Sequence, residues 1–184
     1  MIRLVFIILL SLFSFVLPVF AEGLDQGKLD QLIASLSLSR HPGDVDFKKL
    51  ATAVDPNPVP YLKEIIENSP VRVYVKVNAV KALSEFESPE AKSSLENNLS
   101  NSNQHRLVRQ SAIKSYVSKY YESDPNAISV KVKSLIKERE FLDYAEKSMD
   151  SSKMKQSFNK NSKDAIKKMQ ISEEQKNSRK LQKD

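Results

Sequence analysis

The chain has 184 residues, with 29 Lys or Arg against 23 Asp or Glu, three glycines, and neither cysteine nor tryptophan. Without cysteine there is no disulfide framework and no thiolate metal site, and so few glycines leave no glycine-rich phosphate loop. The formal net charge of +6 divides unevenly, since residues 22–150 carry 18 basic against 19 acidic side chains while residues 151–184 carry 10 against 4. The positive excess therefore belongs to the tail, and whatever it serves is a property of those last residues.

Residues 1–21 read as a secretory signal peptide: Arg3, an apolar run over residues 4–16 broken by Ser11 and Ser14, then Pro18 and Val19-Phe20-Ala21. Cleavage is expected after Ala21. The run falls short of the ~20 apolar residues of a spanning helix, so no transmembrane segment is expected in the mature chain. A periplasmic or otherwise exported location follows, and with it no nucleic-acid partner.

Residues 22–54 are expected to form degenerate N-terminal capping helices. Leu29, Leu32, Ile33 and Leu36 recur at helical spacing, with Gly27 weakening the start. Pro42-Gly43 marks a turn, after which Asp44 or Asp46 is placed to cap a short helix through Phe47, Leu50 and Ala51.

Residues 55–120 are written twice at a period of 33. Asp55-Pro56 recurs as Ser88-Pro89, Leu62 and Ile66 as Leu95 and Leu99, and Val75, Ala79 and Val80 as Val108, Ala112 and Ile113. Each copy holds two segments of helical period, a unit that cannot bury its apolar stripe alone. In the first copy Ser69-Pro70 is placed to open the second helix, whose buried row would be Val71, Val75, Ala79, Ala82 and Leu83. Val71, Val73, Val75 and Val77 also alternate as a strand would, but Ala79, Ala82 and Leu83 continue only a helical period. In the second copy Leu107, Val108, Ala112, Ile113, Tyr116 and Val117 form the packing face. Small Ala79 and Ala112 mark the closest helix approach.

A third copy starts three residues late at Asp124-Pro125, with Ile128, Val132, Leu135 and Ile136, then Phe141, Ala145 and Met149 in register with Val108, Ala112 and Tyr116. The repeat domain so defined covers residues 55–150. In residues 151–184 apolar residues thin out among lysines, serines and asparagines, too sparse for a core of their own. Disorder or a frayed helix is expected there, although Met154 and Phe158, and Ile166 and Met169, stand at spacings that a partner could order into a helix.

The segments Ser69-Pro70-Val71-Arg72 and Ala79-Val80-Lys81-Ala82-Leu83 resemble the second helix of a HEAT repeat, and Leu107, Val108, Arg109, Ala112 and Ile113 repeat the pattern more loosely. His105 stands where Arg72 would recur, and the Asp that often precedes the family's Val-Arg pair is missing from both copies. The resemblance covers about residues 55–149 and implies an all-α fold, a short right-handed α-α superhelix of HEAT-like (armadillo-like) helix pairs. Members of that class are mostly protein-binding scaffolds, so it also implies a protein partner.

No residue pattern points to catalysis, a cofactor or a metal. His41 and His105 lie in different repeats, and the carboxylates Glu64, Glu67, Glu85, Glu87, Glu90, Glu138, Glu140 and Asp143 stand among lysines near helix ends. A non-enzymatic binding protein is expected, with an enzyme as a minor alternative. The outward cations of the second helices are Arg72, Lys76 and Lys81 in one copy and Arg106, Arg109 and Lys114 in the next. Lys76 and Arg109 share a repeat position and would form a basic column. Of the adjacent Tyr120 and Tyr121 only one can face inward, which leaves Tyr120 for a protein-binding surface. Arg72, Lys76, Lys81, Arg106, Arg109 and Tyr120 are thus the candidate protein-binding residues. The lysines of the tail are expected to add weak contact with anionic surfaces, and in an alternative reading they attach a stack that serves mainly as a spacer.

Overall fold

The computed structural model describes residues 23–38 and 45–181. The signal-peptide region with its cleavage point, the Pro42-Gly43 turn, Asp44 and His41 lie outside the described residues. Those described form eight helices and no strand: α1 Gln26–Ser37, α2 Phe47–Val54, α3 Val59–Glu67, α4 Val73–Ser84, α5 Pro89–Ser100, α6 Arg106–Tyr120, α7 Pro125–Leu135 and α8 Arg139–Leu181. The expected all-α class and helical repeats are present, as four successive helix pairs.

Each odd-numbered helix packs on the even-numbered one that follows it. Along the chain, α1, α3, α5 and α7 touch in order, as do α2, α4, α6 and α8, giving two layers with the core between them. The core is the repeated stripe: Leu62, Ile66, Ala79, Leu83, Leu95, Leu99, Ala112, Ile113 and Tyr116 are fully buried. The third copy contributes Ile128, Val132, Ile136, Ala145 and Met149. Ala79 and Ala112, like Leu83 and Tyr116 a turn away, have no exposed surface, and small side chains in such a stripe permit close helix approach.

Helix starts follow side-chain chemistry. Asp46 caps α2 by accepting from the Lys49 amide at 2.8 Å, Ser88 caps α5 by accepting from Ala91 at 3.0 Å, and Asp124 caps α7 by accepting from Ala127 at 2.9 Å. Pro89 and Pro125 occupy the first helical position behind their caps, where a missing N–H loses nothing.

Three expectations need correction. Ser69-Pro70 does not open α4, which starts at Val73 behind an extended Arg72 with no side-chain cap. Ser69 instead closes the preceding helix: its N–H and hydroxyl both donate to the Glu64 carbonyl, at 3.0 and 3.3 Å, so Val71 is half-buried in the connection. Leu107 is not on the packing face, being 54% exposed. It stands in line with Ser111, Lys114 and Ser118 on the other side of α6, the i, i+4, i+7 and i+11 positions of one stripe.

The tail, finally, is helical. α8 runs 43 residues from Arg139 to Leu181, about 64 Å at 1.5 Å per residue. Its first turns are seated in the stack by Ala145 and Met149, which offsets the unfavourable nucleation step. Beyond them no proline or glycine interrupts a lysine-rich run, so propagation continues with little packing even through its serines and asparagines.

Candidate functional site

Of the two outer helix layers, the even-numbered one carries the more distinctive surface chemistry. On α4 the outward stripe is Val73, Val77, Lys81 and Ser84. On α6 it is Leu107, Ser111, Lys114 and Ser118, and on α8 it continues as Tyr144, Lys147 and Ser151. Each stripe passes from apolar or aromatic residues near the helix start, through one lysine, to a serine. Lys81, Lys114 and Lys147 stand 33 residues apart, at one position of three successive repeats.

Shallow grooves join these stripes. One of 550 Å³ lies between the starts of α4 and α6, walled by Val73, Val77, Leu107 and Tyr144 with Lys81 and Lys114 at its end. A second, of 460 Å³, continues past the same two lysines to Phe47, Ser115 and Ser118, and a third, of 360 Å³, joins Lys114 to Tyr144, Lys147 and Ser151. The walls are fixed from behind: the Tyr74 hydroxyl donates to the Ser37 carbonyl at 3.3 Å, and the Asn78 amide to that of Leu36 at 3.0 Å.

Lys81 is the partly buried member of the column. Burial, and then the charge of Lys114, push the ammonium of Lys81 below its ordinary pKa, and the Phe47 ring centroid 5.9 Å from its Nζ is its one nearby aromatic face among the described residues. None of Lys81, Lys114 and Lys147 enters an ion pair among the described residues, whereas Lys28, Lys131, Lys133 and Lys153 do. An anion brought between Lys81 and Lys114 would relieve their repulsion.

The structure separates the other candidates from this face. Arg109 is not outward: it is 1% exposed, so the solvent-facing column of Lys76 and Arg109 does not exist. Its Nε donates to the Leu99 carbonyl near the end of α5 at 2.7 Å, its Nη2 to Glu138 at 2.6 Å, and its guanidinium lies 4.1 Å from the Phe141 ring centroid. The reason is register, because position 109 lies in the buried stripe with Ala112, Ile113 and Tyr116. Lys76, one repeat earlier, is half-buried in the same stripe. Arg72 is exposed in the connection before α4. Arg106 is exposed too, and pairs with Glu140 at 2.5 Å. Tyr120 is half-buried against the Tyr116 ring, centroids 4.9 Å apart, with the Lys92 ammonium 5.0 Å from its own centroid. It borders a separate groove with Pro89 and Lys92. Tyr121 is the buried member of that pair.

Two further polar links brace the stack. The Tyr116 hydroxyl donates to Glu96 at 2.8 Å, and Glu96 also pairs with Lys131 at 3.2 Å, tying α5, α6 and α7 together. Burial and then Glu96 raise the pKa of that phenol. Glu138 is pushed down to about 2, first by the hydrogen bond from Arg109. Because its folded pKa is depressed, its contribution to stability is present above the ordinary carboxyl value near 4.5 and is lost as pH falls toward 2. Acid denaturation curves between those limits should be flatter for Glu138→Gln than for the wild type, and coincident curves would mean that the pair does not titrate as described.

His105 caps α6, its Nδ1 accepting from the Leu107 amide at 3.2 Å. Among the described residues no group of three or more His, Asp or Glu side chains could hold a metal ion, and no helix is long and apolar enough to cross a membrane. No protein-family model matches the chain, and neither a curated protein nor a solved structure is significantly similar to it. What stands is an all-α helical-repeat domain; specific kinship with HEAT repeats is not shown.

Proposed function

We propose that this chain is an exported, non-enzymatic protein-binding scaffold of the bacterial cell envelope, and that it holds an acidic segment of its partner on the outer face of α4, α6 and α8. The observation that carries the reading is the column Lys81–Lys114–Lys147, three lysines at one repeat position that enter no ion pair among the described residues, beside grooves of mixed apolar and hydroxyl character. Glu85 is the one acidic residue lining the three grooves, so positive charge dominates the face, and a spacer requires no such repeated charge. The apolar and aromatic walls would supply contact area and the lysines orientation.

Co-purification from envelope extracts tests this, comparing the wild type with Lys81→Glu/Lys114→Glu/Lys147→Glu and with a variant whose tail lysines Lys153, Lys155, Lys160 and Lys163 are glutamine. The column reversal should lower recovery of a defined partner about tenfold or more, at roughly half to one kcal/mol per charge contact before reversal. The tail variant should retain it. Loss with the tail variant alone, and steep sensitivity to salt, would instead support the spacer attached through its basic tail.

A further inference from the structure

α8 leaves the stack part-way along its length. Ala145 and Met149 are buried and Ser152 and Gln156 half-buried, whereas from residue 157 to residue 168 every side chain but Ser162 is exposed. The four seated residues lie on one side of the helix, since 145, 149, 152 and 156 follow one another at steps of four, three and four. At about 100° per residue, Met154, Phe158 and Ala165 fall within about 40° of one another, on the side opposite Ala145 and Met149. Met154 is 72% and Phe158 71% exposed. Ile166, also exposed, stands about 80° beyond Phe158 at one margin of this stripe. The stack touches α8 on the reverse side, so it leaves the stripe uncovered.

Charge decides what can cover it. Lys155, Lys160, Lys163, Lys167 and Lys168 enter no ion pair among the described residues, and Asp164 is the one acid among them. Lys155 and Lys168 flank the stripe, about 80° and 60° from its centre, while Lys160, Lys163 and Lys167 lie about 140–160° round. A second copy of this helix would bring the same excess and be repelled. A single acidic helix packed on the stripe would reach the two flanking lysines and leave the other three behind it. An anionic bilayer meets both parts. Its interior takes the apolar stripe, and its surface potential acts over about 8 Å at physiological salt, close to the helix diameter of about 10 Å. The far lysines need only bend their stems toward the headgroups. An apolar side set against a lysine-rich one is the pattern of a helix that lies in the membrane interface. Among the described residues no helix is long and apolar enough to cross a membrane, so the contact runs along the surface.

We propose that α8 beyond the stack lies along an anionic phospholipid bilayer, with Met154 and Phe158 embedded and the five lysines at headgroup level. The inference does not rest on the protein-binding reading. It also goes beyond attachment by charge alone, because it fixes which side of the helix enters the lipid.

That orientation is measurable. The chain holds no tryptophan, so Phe158→Trp places a single reporter in the stripe and Asn159→Trp places one about 100° round the helix. Residues 22–184, which include every described helix, are mixed with phosphatidylcholine vesicles with or without 30 mol% phosphatidylglycerol. Binding should be about tenfold or more tighter to the anionic vesicles, and glutamine at Lys155, Lys160, Lys163 and Lys167 should remove that advantage. On binding, the Phe158→Trp emission should shift to the blue and be quenched by lipids brominated in their acyl chains, while Asn159→Trp should show neither effect. Met154→Gln/Phe158→Gln should weaken binding about tenfold, with helix content unchanged by circular dichroism in the absence of lipid. Equal quenching of the two tryptophans, quenching of neither, or full binding by the double glutamine variant would overturn the proposal. So would vesicle binding that survives the lysine-to-glutamine changes and is lost with Lys81→Glu/Lys114→Glu/Lys147→Glu, since the lipid would then sit on the column. A protein that ignores the vesicles yet binds polyglutamate through these lysines would assign the helix to an acidic protein, and the proposal would be wrong.

Discussion

Arg109→Ala should destabilise the protein by about 2–4 kcal/mol. The guanidinium is 1% exposed, and its removal leaves the Leu99 carbonyl without its donor, Glu138 without its partner and Phe141 without the plane packed on it. These groups belong to α5, to the α7–α8 connection and to α8, so the loss falls on the seam between the second and third repeats. Arg109→Met, which keeps much of the stem, should recover part of the packing but none of the hydrogen bonds. Arg109→Lys should do little better, because an ammonium cannot serve the carbonyl and the carboxylate in the geometry of a planar fork. Urea denaturation of the three variants measures this directly. A wild-type midpoint for Arg109→Ala would show that the residue is solvated and the α6–α8 seam misplaced.

Ala112→Leu and Ala79→Leu should each destabilise by roughly 1–3 kcal/mol through overpacking. Both alanines have no exposed surface, and both lie in the buried stripe of an even-numbered helix that packs on its neighbours in the layer. Leucine at either site forces the helices apart or drives its neighbours off their rotamers. Ser118→Ala, on the exposed side of the same α6 helix, is the matched control and should change stability by less than about 0.5 kcal/mol. Unchanged melting of Ala112→Leu would mean that the 33-residue register is wrong.

That register was legible in the sequence because burial in a repeat is periodic. Leu62 with Leu95, Ala79 with Ala112, and Phe141, Ala145 and Met149 beneath Val108, Ala112 and Tyr116 are enough to place the helix pairs. Charge was the poorer guide. Arg109 carries a positive charge and so reads as outward, yet it lies three, four and seven residues from Ala112, Ile113 and Tyr116, within the buried stripe. Leu107 errs in the opposite sense, an apolar residue placed by its register on the outer face. Applying the period to every residue type, charged ones included, gives both positions correctly. It also gives Lys147, which lies one period beyond Lys114 and completes the column begun at Lys81.

Two features were beyond such reasoning. Ser69 lies between two helices and its type suits either a helix start or a helix end; only its contacts with the Glu64 carbonyl decide between them. The helical tail was hidden because average hydrophobicity measures the capacity to build a core. It does not measure whether a helix already nucleated at Ala145 and Met149 will propagate through lysines and glutamines.

Which face of the stack meets a partner is the question on which the functional account turns. Site-specific photo-crosslinking in living cells answers it, with a benzophenone side chain placed at Ser111 on α6 or Ser148 on α8, and at exposed Ser93 on α5 as the opposite-layer control. The account predicts a discrete protein adduct from Ser111 and Ser148, none from Ser93, and loss of the adduct when Lys81, Lys114 and Lys147 are reversed to glutamate. An adduct formed from Ser93, or one from Ser111 that persists in full after the reversal, would contradict it.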